Sequence, residues 1–203
     1  MSVKVKICGV TSPEDARDAT LAGADFIGVN FCPVSPRLVS LEQAQMIAAA
    51  VPSVPLVGVF VDRPRDEIEA IVAAVGLRLV QLHGDEEPAQ AGGFTVPVIK
   101  ALRPRPGTDL GTLAARFATE YILADSYVPG RSGGTGVSLD LATIGGFDAR
   151  RLFVAGGLRP ETVAAVVRQV RPFAVDVASG VESKPGRKDR EKVVEFIRRA
   201  KSA

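Results

Sequence analysis

The feature that most constrains this chain is a rhythm. Short β-branched apolar runs alternate with segments that carry helix signals, eight times from one end to the other. Strands alternating with helices require a parallel sheet, and strands covered on both faces read as nearly unbroken apolar runs. The runs are residues 3–8, 26–31, 54–61, 79–82, 96–101, 121–124, 152–155 and 174–177. Spread over 203 residues this is about 25 residues per unit, the small end of the range for a (β/α)8 barrel. The competing architecture, an open doubly wound sheet, uses about five or six strands at this length. The expectation is therefore an α/β fold, a (β/α)8 TIM barrel, as a compact single domain over residues 1–203.

The helix signals are local and specific. Ser12-Pro13-Glu14-Asp15 places a capping hydroxyl, a proline at the first helical position and acids in the first turn, so a helix runs to about residue 22. Ser40 followed three residues later by Gln43 has the spacing of a capping box. A third helix starts near Pro64-Arg65 and carries Ile68, Ile71, Val72 and Val75 on one face. Weaker signals near Pro88 and over 110–117, 139–144, 160–170 and 190–200 complete the expected eight.

Composition excludes several classes. With 25 Lys+Arg against 23 Asp+Glu, a net charge of +2, two Tyr and no Trp, neither a basic face nor stacking aromatics for nucleic acid are evident. The longest apolar stretch, 47–61, is broken by Pro52, Ser53 and Pro55 and falls short of the ~20 residues of a membrane span. Two cysteines, Cys8 and Cys32, and an opening Met-Ser-Val-Lys without an apolar leader point to the cytoplasm. A single histidine rules out a multi-histidine or Cys/His metal centre, so no metal is expected.

In a barrel the site lies where strands end and loops begin. Those positions hold Cys8-Gly9, Asn30 to Arg37, Asp62, His83-Gly84-Asp85, Lys100, Asp125-Ser126, Gly156-Gly157 and Ser179-Gly180, an inventory expected to converge on one mouth. Gly156-Gly157 and Ser179-Gly180 follow the seventh and eighth strands, where such barrels bind phosphate through backbone N–H groups and the positive end of a short helix. Cys8 and Asp125 end strands one and six, facing each other across the opening, an arrangement that suits removal of one proton and delivery of another at separate atoms. The glycine after Cys8 and the helix beyond it are expected to favour the thiolate. Arg37 is a candidate fork for a substrate carboxylate. His83 is placed among the substrate-binding residues, either in a dyad with Cys8 or as hydrogen-bonding support. Cys32 is assigned to packing.

Alternation along the first strand carries a further expectation. If Cys8 points into the barrel, Lys4 and Lys6 do too, while Val3, Val5 and Ile7 face the helices. A buried Lys6 needs a partner, and Asp176 on the neighbouring eighth strand is the first choice. The glycine-rich segment 130–136 reads as a mobile lid over the mouth; it lacks the ending of a phosphate-binding P-loop.

Lys6-Ile7-Cys8-Gly9, Ser35-Pro36-Arg37, Gly58-Val59-Phe60, Gln81-Leu82-His83-Gly84, Asp125-Ser126 with a following Gly-Gly-Thr-Gly, Ala155-Gly156-Gly157-Leu158 and Asp176 through Glu182 stand in the order seen in phosphoribosylanthranilate isomerases. The chain resembles that family over nearly its whole length. The resemblance implies a (β/α)8 barrel that isomerises N-(5-phospho-β-D-ribosyl)anthranilate to 1-(2-carboxyphenylamino)-1-deoxy-D-ribulose 5-phosphate in tryptophan biosynthesis. It implies an Amadori rearrangement without metal or cofactor, in a monomer or homodimer. By matching positions, Asp125 resembles the general acid, Cys8 the general base, Arg37 the residue facing the anthranilate carboxylate, and Gly156, Gly157, Ser179 and Gly180 the phosphate site. Cys32 departs from the aromatic or small residue frequent there. Beside this reading stand another sugar-phosphate reaction on the same barrel and a non-catalytic sugar-phosphate sensor; turnover separates them.

Overall fold

The computed structural model describes residues 2–105, 107–126 and 141–203. Eight parallel strands close into a ring: β1 (Lys4–Cys8), β2 (Phe26–Asn30), β3 (Leu56–Phe60), β4 (Leu79–Leu82), β5 (Val98–Leu102), β6 (Tyr121–Ala124), β7 (Leu152–Val154) and β8 (Ala174–Val177). Closure is made by β8 on β1, with Lys4 opposite Ala174 and Lys6 opposite Asp176, and this removes the open-sheet alternative. The expected strands are all present, trimmed by up to two residues at some ends.

The helices depart further from expectation. Six α-helices are found among the described residues: α1 (Pro13–Leu21), α2 (Leu41–Ala50), α3 (Arg65–Val75), α4 (Leu110–Ala114), α5 (Pro160–Val170) and α6 (Arg190–Lys201). Between β4 and β5 there is a 3-10 turn, Pro88–Gln90, and the described residues between β6 and β7 hold two more, Leu141–Ile144 and Ala149–Arg151. Gly92-Gly93 and Gly145-Gly146 sit in those crossovers, and each helical glycine costs about 1 kcal/mol relative to alanine, too much for so short a segment to recover. The sequence-expected caps do form. Ser12 Oγ accepts the Asp15 N–H at 3.1 Å, and Ser40 and Gln43 make the reciprocal pair of a capping box.

Alternation along the strands sorts two apolar layers. Val5, Ile7, Ile27 and Val175 pack between sheet and helices, while Val57, Ile99, Leu123 and Phe153 fill the barrel. The N-terminal end is plugged by Phe26, Tyr121, Phe153 and Phe173, with ring centroids 5.0–6.3 Å apart. The inward positions nearer the other end are polar. Lys6 is fully buried there, its Nζ 2.9 Å from Asp176 Oδ1, the pairing that alternation predicts. Lys4 shares its direction but reaches the rim, where it is half exposed and pairs with Asp25.

A hairpin that no periodicity announces follows the barrel. After β8 the chain makes a 3-10 turn, Ser179–Val181, then an antiparallel hairpin, β9 (Glu182–Lys184) and β10 (Arg187–Lys188), closed by Pro185-Gly186. Its arms are too short and too charged to register as strands, although Pro-Gly is a turn signal.

The buried pair gives a stability prediction. Lys6→Met should destabilise by about 3–5 kcal/mol in urea unfolding, because it strands the Asp176 charge, and adding Asp176→Leu should restore much of the loss. A double variant no more stable than Lys6→Met would contradict this.

Candidate active site

Cys8 ends β1 with its sulfur below the rim of the barrel. Space for it comes from β2: a Cβ on Gly28 would lie 2.9 Å from Cys8 Sγ and 3.1 Å from Lys6 Nζ, so any larger residue would push thiol and ammonium apart. Burial pushes the thiol above its ordinary pKa; the ammonium groups of Lys6 and Lys188 pull it down, and the Asp176 carboxylate opposes them. The expected preference for thiolate is therefore corrected. The sulfur lies in the barrel interior, where loss of water outweighs the nearby cations.

Asp125 follows β6 and is buried. Its Oδ1 accepts the Ser126 N–H at 2.8 Å, and its Oδ2 lies 3.2 Å from His83 Nε2. Burial would raise its pKa, but His83, the Ser126 N–H and the Arg103 charge together hold it below the usual carboxylate value. His83 is thus partnered with the acid. Its other nitrogen, Nδ1, lies 2.7 Å from Gln81 Nε2, completing a line Gln81–His83–Asp125 across the ends of β4 and β6.

Arg37 stands at the mouth, but two of its five N–H donors are taken from inside the protein. Its Nε and Nη2 donate to Glu182 Oε1 and Oε2 at 2.8 and 2.7 Å. Glu182 also accepts from Lys188 Nζ at 3.0 Å, and Lys188 in turn reaches the Ala178 carbonyl at 3.2 Å. The hairpin after β8 therefore holds Arg37 in one orientation. Glu182 keeps the guanidinium firmly charged and has its own pKa lowered, burial opposing the pull of Arg37 and Lys188.

Gly156 and Gly157 have φ of +86° and +65°, the left-handed region that favours glycine, and this turns the chain sharply after β7. They and the Ser179-Gly180 turn form one wall of a cavity of about 190 Å³ at the C-terminal end of the barrel. Cys8, Arg37, His83 and Asp125 line the same cavity, so all eight expected site residues meet there. The short helix expected after β8 is a single 3-10 turn.

The full strand-end inventory does not converge. Lys100 lies between the inward-facing Ile99 and Ala101, so it points outwards, where it donates to Glu86 at 2.6 Å and to the Gly84 carbonyl at 2.8 Å. Asp62 caps the neighbouring loop by accepting the Asp85 N–H at 2.8 Å. Cys32 lines the cavity, buried, and both thiols are free. The segment 130–136, read as a lid, lies outside the described residues. Among the described residues no cluster of three metal-ligating side chains occurs, and no helix is long and apolar enough to cross a membrane.

Three residues of the site escaped the sequence reading: Gln81, Glu182 and Lys188. Gln81 had a signal, since a residue two before His83 shares its side of the strand. Glu182 closed a stretch that resembles the family but carried no sign of its role, and Lys188 had no signal, because both act through the hairpin.

Comparison with known proteins agrees with this geometry. The family model described as N-(5'phosphoribosyl)anthranilate (PRA) isomerase matches residues 5–199. The N-(5'-phosphoribosyl)anthranilate isomerase of Azotobacter vinelandii is 46% identical over 204 residues, covering 100% of this chain and 99% of that protein. Monomers generated from the dimeric phosphoribosylanthranilate isomerase of Thermotoga maritima superpose with a TM-score of 0.83 at 36% identity, over 99% of this chain and 100% of that one. A phosphoribosylanthranilate isomerase in complex with reduced 1-(o-carboxyphenylamino)-1-deoxyribulose 5-phosphate superposes with a TM-score of 0.81 at 36% identity, again over 99% and 100%.

The charges around Cys8 are testable by alkylation in a Cys32→Ser background, where Cys8 alone reports. Lys188 stabilises the thiolate, so Lys188→Met should move the pH midpoint of iodoacetamide reaction upwards. A midpoint that stays or falls would remove Lys188 from the thiol's surroundings.

Proposed function

The chain belongs to the N-(5'-phosphoribosyl)anthranilate isomerase family, and we propose that Cys8 and Asp125 are the base and the acid of its reaction. The enzyme converts N-(5-phospho-β-D-ribosyl)anthranilate to 1-(2-carboxyphenylamino)-1-deoxy-D-ribulose 5-phosphate in tryptophan biosynthesis. The observation that carries the assignment is the shared cavity: a buried thiol and a buried carboxylate from β1 and β6 open onto one space walled by glycine turns and an arginine.

The chemistry then follows atom by atom. The Asp125 proton goes to the ribose ring oxygen; the bond from that oxygen to C1 breaks, and the anilino nitrogen lone pair forms C1=N. The positive Schiff base acidifies C2–H. Cys8 sulfur takes that proton, the C2 electrons flow to nitrogen, and the resulting enolamine tautomerises to the ketose. C1 is reduced and C2 oxidised within one molecule, so the electron balance requires no carrier. The dianionic phosphate suits the N–H groups of Gly156-Gly157 and Ser179-Gly180. The anthranilate carboxylate suits the donors of Arg37 that Glu182 leaves over.

The resting site holds its protons the wrong way round. Cys8 is pushed towards thiol and Asp125 towards carboxylate, whereas the reaction needs a thiolate and a carboxylic acid. Turnover therefore requires that Asp125 be loaded with a proton and that Cys8 lose one once substrate is bound. The Schiff-base cation formed on ring opening favours the second step electrostatically.

The same reading takes residues 1–203 as one domain and places the enzyme in the cytoplasm, where a base that is a free thiol stays reduced. Its partner is a phosphorylated small molecule. The chain is read as a monomer or a homodimer.

Cys8→Ala and Asp125→Asn should each lower kcat by at least ~100-fold, read as loss of the anthranilate fluorescence of the substrate. Rates within tenfold of the parent would remove the residue from its role. Arg37→Ala should chiefly raise KM; an unchanged KM with a lowered kcat would instead put Arg37 on the transition state.

A further inference from the structure

Asp125 needs a proton that its surroundings do not favour, and the buried amide of Gln81, next to its partner His83, has no part in the steps above. Gln81 is almost fully buried in the middle of β4, between Val59 on β3 and Ile99 on β5. Its Nε2 lies 2.7 Å from His83 Nδ1, and its Oε1 is buried with no hydrogen-bond partner. A buried carbonyl left unpaired is costly, and its apolar neighbours offer it no donor.

The two ends of a glutamine amide have nearly the same shape, so a half-turn exchanges them without altering the packing. Either way, one end meets His83 Nδ1 and the other meets nothing. Neither orientation is locked, and the choice between them depends on the protons of the imidazole. With nitrogen facing Nδ1, the ring accepts there and carries its proton on Nε2, which donates to an anionic Asp125. With oxygen facing Nδ1, the ring donates there and a second proton is shared between Nε2 and Asp125 Oδ2.

We propose that Gln81 is a positioning residue that sets the proton count of the His83–Asp125 pair, its half-turn switching the pair from one proton to the two from which Asp125 donates. This rests on the reading of Asp125 as the acid. The proton given to the ring oxygen is replaced from solvent through His83, and the pair returns to one proton between turnovers. Other charged or titratable groups face the pair: Arg103 beyond β5, whose Nη2 donates to the His83 carbonyl at 2.6 Å, and Cys8, Asp176 and Arg37, which share the cavity. From β3 the cavity receives uncharged Val59 and Val61.

The chain has one histidine, so ¹⁵N-histidine labelling gives a single pair of ring signals and reads the tautomer directly. Gln81→Glu can accept from Nδ1 but not donate to it, and should place a proton on Nδ1 at a pH where the parent ring carries its proton on Nε2. It should also move the alkaline limb of the kcat profile up by about one pH unit, the effect of one hydrogen bond to a charged group. Gln81→Met can do neither and should move the limb down by a similar amount. Opposite shifts are not expected of a residue that merely fills space. Identical ring signals in the three proteins, or equal losses of activity with superimposable profiles, would overturn the proposal. If Gln81→Glu does not fold, Gln81→Met decides it alone: a downward limb supports the proposal and an unmoved one refutes it. The ring signals do not depend on turnover, so an active Asp125→Asn would defeat the acid assignment while leaving the proton count separately tested.

Discussion

The ion pair between Lys6 and Asp176 is the interaction on which the rest of the molecule depends. It joins the first strand to the last across the seam that closes the barrel, at residues that are also register partners. An ammonium without water is tolerable only with such a partner, so the chemistry of one inward position helps to specify which strands meet. The same pair lies beside the Cys8 thiol, Lys6 favouring the thiolate and Asp176 disfavouring it. Closure of the fold and the electrostatic surroundings of Cys8 are one arrangement, and Gly28 supplies the room for both.

Around that seam the cavity divides its work by side. Strands β7 and β8 contribute backbone turns with almost no side-chain charge, suited to a phosphate. The hairpin after β8 supplies charge indirectly: Glu182 takes two donors of Arg37 and the ammonium of Lys188, so a guanidinium from the loop after β2 is aimed by residues more than a hundred positions away. Strands β4 and β6 carry the hydrogen-bonded line Gln81–His83–Asp125, on which the proposed control of the acid's proton rests. A substrate with an anion at each end and a reacting sugar between them matches this division.

Much of this was legible in the sequence because it follows from period and parity. The eight strands, the inward Lys6 and its partner, and the gathering of Cys8, Arg37, His83 and Asp125 at one end all come from knowing where strands stop and which way alternate residues face. Local signal misleads where tertiary context overrides it. Lys100 lies in the middle of β5 with the opposite parity, so it belongs to the outer layer. Among the described residues of two crossovers, 3-10 turns beside paired glycines stand where helices were expected. Cys8 sits next to a helix start, yet burial governs its proton. Glu182 and Lys188 acquire a role through a hairpin whose arms are five residues in all, below what periodicity can detect.

We propose one orientation for the substrate: the sugar between thiol and acid, held by its phosphate on the β7–β8 turns and by its carboxylate at Arg37. A crystal structure of this enzyme with a reduced, non-reacting analogue of its product tests it most directly. The phosphate should lie against the N–H groups of Gly156, Gly157, Ser179 and Gly180, the carboxylate on Arg37, and C2 within reach of Cys8 Sγ. A ligand bound the other way round, with its phosphate on Arg37 and C2 remote from the sulfur, would contradict it.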